Sequence, residues 1–88
     1  MLFMVIERFK AGHPGPVGER FRARGRMLPA GGEVEYLDSW MTPDGAACHQ
    51  LMRAPARQSL DPWLEAWSDL VDFEVVPVVP SAEYWAAR

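Results

Sequence analysis

Apolar side chains occupy both alternation classes at the start of the chain. Leu2, Met4 and Ile6 fall on one side and Phe3, Val5 and Phe9 on the other, so Leu2–Phe9 reads as a strand with hydrocarbon on both faces. Ala11-Gly12-His13-Pro14-Gly15-Pro16 then forbids regular structure. Behind Pro16, Val17, Phe21, Gly25 and Leu28 recur at helical spacing, which predicts an amphipathic helix over residues 16–28, stopped by Pro29-Ala30-Gly31-Gly32. Val34–Met41 returns to the strand pattern, with Tyr36, Asp38 and Trp40 in one alternation class. Thr42-Pro43-Asp44-Gly45 has turn chemistry, and Ala46–Arg53 completes a hairpin. Leu60, Trp63, Leu64, Trp67 and Val71 keep a 3.6-residue period, which places a second helix between Arg57 and Leu70. Its regular part begins near Ser59, because Pro62 is tolerated only in a first turn. Asp72–Val79 is the last strand, and Ser81 is placed to cap a short helix through Tyr84 and Trp85.

The order β-α-β-β-α-β has a two-layer solution in the α+β class: the ferredoxin-like arrangement. A four-stranded antiparallel sheet carries two helices on one face, the first and third strands are central neighbours, and a short C-terminal helix follows. Residues 1–88 are expected to form a single domain, since two cores cut from this length would each be too small. The last strand repeats the two-sided pattern of the first, with Phe73 and Val75 on one side and Val76 and Val78 on the other. A sheet wetted on one face should alternate apolar with polar. Two helices cannot cover both faces, so the second face is expected to meet another copy of the chain in a homodimer.

Met4-Val5-Ile6-Glu7-Arg8-Phe9, Asp38-Ser39-Trp40, Gln50-Leu51-Met52 and the run from Trp67 to Val78 together resemble a small bacterial family of unknown function. That resemblance covers nearly the whole chain. It implies the dimeric α+β barrel superfamily, in which two ferredoxin-like protomers press their sheets together, and so the same homodimer through the sheet face. The wider superfamily includes cofactor-free monooxygenases, isomerases, haem-handling enzymes and regulatory ligand-binding domains. Likeness at that level does not specify a reaction.

Composition narrows the setting. With 49% hydrophobic and 24% charged residues the chain is globular rather than disordered. One cysteine excludes an intrachain disulfide and fits a reducing compartment. The apolar run Met1–Ile6 is too short for a secretory signal or a membrane span, so a cytoplasmic protein with no membrane partner is expected. Residues 1–26 carry a balance of +4 and residues 27–88 one of −7, for a net charge of −3. Arg20/Arg24 and Arg22/Arg26 are spread around the first helix, and the chain is acidic overall. No nucleic acid is therefore expected, and these arginines are read as solvated or matched to the acidic second half.

Candidate chemistry is sparse. No nucleotide-binding, zinc or nucleophile-elbow motif is present. Cys48 and His49 are adjacent on a strand and leave opposite faces, so they cannot share one ion; no metal and no cofactor are expected. His49 is one candidate for acid–base work, because its ordinary pKa lies near neutrality. Glu7 is the other: it interrupts an apolar alternation class and must find solvent or a partner, either as a general base or in an ion pair with an arginine across the dimer. Trp63 and Trp67 share a helix face, and with Tyr36, Trp40 and Phe21 they either wall a pocket for a planar ligand or fill the core. The leading expectation is a homodimer that holds a small apolar or aromatic molecule between sheet and helices. A cofactor-independent monooxygenase or isomerase is the second, and a purely structural or interaction dimer the third.

Overall fold

The structure, a computed structural model, describes residues 1–88. Four strands, β1 (Leu2–Phe9), β2 (Glu35–Met41), β3 (Ala47–Arg53) and β4 (Val71–Val78), form one sheet in the order β2-β3-β1-β4. Every neighbouring pair is antiparallel. Helix α1 (Gly15–Arg24) joins β1 to β2, a 3₁₀ turn (Arg57–Leu60) runs into α2 (Asp61–Trp67) before β4, and α3 (Ser81–Ala86) ends the chain. This α+β architecture is compatible with a ferredoxin-like fold. No helix is long and apolar enough to cross a membrane.

Residues directly opposite across a ladder share a face. Phe3, Val5, Glu7 and Phe9 of β1 are buried, as are Cys48, Gln50 and Met52 of β3, and all point toward the helices. There they meet Leu60, Trp63, Leu64 and Trp67 in one apolar cluster. The even-numbered residues of β1 point the other way. Leu2, Met4 and Ile6 pair with Val78, Val76 and Glu74 on one side and with Arg53, Leu51 and His49 on the other. The centre of this second face is therefore hydrocarbon, and its residues stay partly exposed. Ion pairs stand at its corners, Arg8 with Glu74 at 3.0 Å and Arg53 with Glu35 at 3.6 Å. The smallest dimension of the molecule is 17 Å, as a sheet with a single helical layer requires.

Four local expectations change. The second helix is α-helical only over Asp61–Trp67, and Val71, which continued its period in the sequence, opens β4. The first helix stops at Arg24 rather than reaching Leu28, because Gly25 takes φ 68° and Met27 takes φ 58°. Both values lie in the left-handed region, which glycine enters freely and methionine does not. Ser81 does not cap α3; Pro80 occupies the cap position and no side chain bonds there. In β2 a bulge lies between Tyr36 and Asp38, so the register slips by one residue. Tyr36 then pairs with Met52 on the helix side, whereas Asp38 pairs with Leu51 and Trp40 with His49 on the open side. No glycine or proline in Glu35–Met41 marks that slip.

Helix α1 buries none of its residues fully. Arg20 braces it: the guanidinium donates to both carboxylate oxygens of Asp69 at 2.8 and 2.6 Å and to the Ala66 carbonyl at 3.1 Å. This fork keeps Asp69 ionised, with its pKa lowered to about 2 by the Arg20 hydrogen bonds. The matching of basic first half to acidic second half is realised here and in the Arg8–Glu74 and Lys10–Asp72 pairs.

Candidate functional site

Helix α1 rests on the rest of the fold through the Arg20 brace and the half-buried Val17, and a space remains beneath it. A cavity of about 270 Å³ lies between α1 and the sheet. Phe9, Met41 and Trp67 meet Val17 and Phe21 of α1 as its apolar walls. Glu7, Cys48, Gln50 and Ser39 supply polar atoms from the sheet, and Arg22 and Arg26 supply positive charge from α1 and the segment after it.

Glu7 is the least expected group in this setting. It is 6% exposed, and Gln50 Nε2 donates to its Oε1 at 2.5 Å. Burial pushes its carboxyl above the ordinary range, while the Gln50 hydrogen bond, Cys48 and the Arg26 charge pull it back. Cys48 sits directly opposite Glu7 in the ladder. Burial, followed by the Glu7 charge, raises its thiol to about 11, so at neutral pH it is a thiol and not a nucleophilic thiolate.

A pH prediction follows from Glu7. Its native pKa is raised, so between its ordinary value of 4.5 and that higher value the native state holds more protons than the unfolded chain. Stability is therefore lost as pH rises through that window. Glu7→Gln keeps the acceptor for Gln50 without the charge. It should be more stable than the parent by on the order of 1 kcal/mol at about pH 8, with the two converging below about pH 4. Urea denaturation at both pH values measures this; parallel profiles would show that the carboxylate carries no desolvation cost.

Arg26 is fixed from two directions. Its carbonyl accepts hydrogen bonds from both indoles, Trp63 Nε1 at 3.1 Å and Trp67 Nε1 at 3.0 Å. Its guanidinium stacks over the Tyr36 ring at 3.5 Å and lies 5.2 Å from the centre of Phe21. The left-handed Met27 follows immediately, so the tryptophans hold a strained backbone beside the cavity.

These placements sort the residues singled out from sequence. Trp67 lines the cavity. Trp63 is 1% exposed and packs on Phe73, with ring centres 5.9 Å apart, so it supports the site from within the core. Tyr36 acts through Arg26. Trp40 belongs to the other face of the sheet, 52% exposed, because the bulge turned it there; the four aromatics do not enclose one pocket. His49 also stands on that face, opposite Ile6 and Trp40, so it shares no site with Glu7. Glu7 faces the helices, which corrects the reading that pairs it with an arginine across a sheet-to-sheet dimer; its partner is Gln50 of the same chain. Arg26 and Gln50 were not anticipated. Gln50 was findable, as a polar residue sharing an alternation class with Cys48 and Met52, but nothing in the sequence separates Arg26 from its arginine neighbours.

A family model described as a domain of unknown function matches the chain over residues 1–88. No curated protein and no solved structure matches it.

Proposed function

We infer function from the geometry, because this chain belongs to the DUF3303 family, a domain of unknown function, and that membership carries no activity. The protein is a homodimer that binds a small molecule with an apolar or aromatic body in the cavity beneath α1. The observation that carries the binding reading is the buried Glu7 carboxyl on the wall of an otherwise largely apolar space. An apolar pocket with a few convergent polar groups is the usual form of a ligand site. A cavity of ~150 Å³ already holds benzene, so about 270 Å³ takes one ring with substituents. The same space weighs against a purely structural dimer with a filled interior.

Dimerisation is supported by the open face of the sheet, where Met4, Leu51 and Val76 form an apolar centre and ion pairs form the rim. That distribution matches the anatomy of a protein interface. A second reading, a cofactor-independent monooxygenase or isomerase, rests on Glu7 alone. A carboxyl raised by burial inside a cavity is suited to proton transfer, and His49 lies on the other face.

Native mass spectrometry of freshly purified protein tests the binding reading. The expected result is a species heavier than the bare chains by a small-molecule mass that is lost on denaturation. Bare chains, together with failure of a panel of single-ring compounds to shift the tryptophan fluorescence, would overturn it.

A further inference from the structure

The charges around the cavity define its ligand more narrowly. Two arginines of this protein are partly buried, Arg20 and Arg26. Arg20 spends its donors on Asp69 and the Ala66 carbonyl. Arg26 makes no side-chain hydrogen bond and belongs to none of the five ion pairs. Its stacking on Tyr36 occupies the flat face of the guanidinium and leaves the N–H edge free. That edge is the part that grips a carboxylate with two parallel bonds. Arg22 lines the same cavity and is likewise outside every ion pair.

Glu7 makes the opposite demand. As a carboxylate it can only accept, and Gln50 supplies one donor to Oε1. A ligand atom that meets it must therefore donate. Beside these polar groups, Phe9, Met41 and Trp67 with Val17 and Phe21 present hydrocarbon. A bare inorganic anion would leave those walls unfilled, and a neutral hydrocarbon would leave the free edge of the half-buried Arg26 without a partner. A cation would meet the repulsion of both arginines.

We propose, building on the binding reading above, that the ligand is a small aromatic or apolar carboxylate bearing a hydroxyl or amino group. Its carboxylate lies on Arg26 and Arg22, its ring lies against the apolar walls, and its donor group meets Glu7.

Titration of the protein with four probes, followed by calorimetry and tryptophan fluorescence, tests this assignment. 4-Hydroxybenzoate carries both polar groups, benzoate and phenol carry one each, and toluene carries neither. 4-Hydroxybenzoate should bind at least about tenfold more tightly than phenol or benzoate, a difference of ~1.4 kcal/mol. The double variant Arg22→Gln/Arg26→Gln should bind phenol as the parent does and lose the preference for 4-hydroxybenzoate. Glu7→Gln should bring 4-hydroxybenzoate down to the affinity of benzoate. Phenol or toluene binding as tightly as 4-hydroxybenzoate in the parent would overturn the anion assignment while leaving a ligand cavity in place. Survival of the preference in the arginine variant would do the same. Absence of binding by all four probes would overturn the assignment and the binding reading together. Because the parent's own probe series decides the matter, the result does not depend on the variants folding.

Discussion

Trp63→Ala should take away a large share of the protein's stability at 25 °C. A chain of this length has roughly 4–13 kcal/mol of net stability, and truncating a fully buried tryptophan costs about 3–5 kcal/mol. Trp63 is 1% exposed, packs on Phe73 of β4 and donates to the Arg26 carbonyl, so its loss opens the core and releases that segment together. Chemical denaturation monitored by circular dichroism measures the change. A melting curve within a few degrees of the parent's would mean that the core does not depend on this side chain.

The two indoles allow a finer measurement on the same feature. Trp63→Phe and Trp67→Phe each keep a ring and delete one hydrogen bond to a single acceptor. Either remaining indole still satisfies the carbonyl, so each single variant should lose about 1 kcal/mol for its bond beyond its packing loss. Removing both leaves a partly buried carbonyl beside a left-handed Met27 with no protein donor. The double variant should therefore cost more than the sum of the singles, the sign of coupling that a double-mutant cycle isolates. The cavity wall should loosen with it, because Arg26 stands on that segment.

What could be read in the sequence was what repeats locally. The two-faced pattern of Leu2–Phe9 places every residue of β1 on its observed face, and the 3.6-residue period of Leu60, Trp63, Leu64 and Trp67 places the buried side of α2. Proline and glycine also mark the Thr42–Gly45 turn correctly, where Gly45 takes φ 74° and Thr42 Oγ1 donates to Asp44 at 2.7 Å. The misses share a different cause. A bulge is one extra residue whose cost is settled by the partner strand, so Trp40 carried no local sign that it would turn away from Tyr36. Arg20, Arg22 and Arg26 are chemically identical on paper; only the tertiary positions of Asp69, Tyr36 and two tryptophans make the first a brace and the last an unpaired cation. Glu7 was conspicuous because a charge in an apolar alternation class breaks a rule, and functional sites are where such breaks are expected. Its alternation class was legible at once, and which face carries the helices required the assembled sheet.

That separation of faces supports the second large effect. Met4 and Val5 are neighbours in β1 with similar apolar side chains, yet an arginine at each should have opposite consequences. Val5 is fully buried against the helices, so Val5→Arg places an unpaired charge in the core, at a cost of several kcal/mol, and should abolish folding. Met4 lies at the centre of the open face between Leu51 and Val76, so within one chain its side chain can reach water. Met4→Arg should leave the circular dichroism spectrum and the cavity intact. In a dimer formed through that face, a two-fold axis brings the substituted position of each protomer into the same interface. Two like charges would then be desolvated against hydrocarbon. Each 1.4 kcal/mol lost is tenfold in the dissociation constant, so a penalty of several kcal/mol raises it by about a thousandfold or more. Sedimentation at micromolar concentration should then show dimers for the parent and folded monomers for Met4→Arg. Those monomers should still bind 4-hydroxybenzoate, since the cavity lies on the helical side of the sheet, opposite the face that carries Met4. A parent protein that sediments as a monomer, or a Met4→Arg variant that remains dimeric, would remove the open face as the interface and leave the cavity beneath α1 to stand alone.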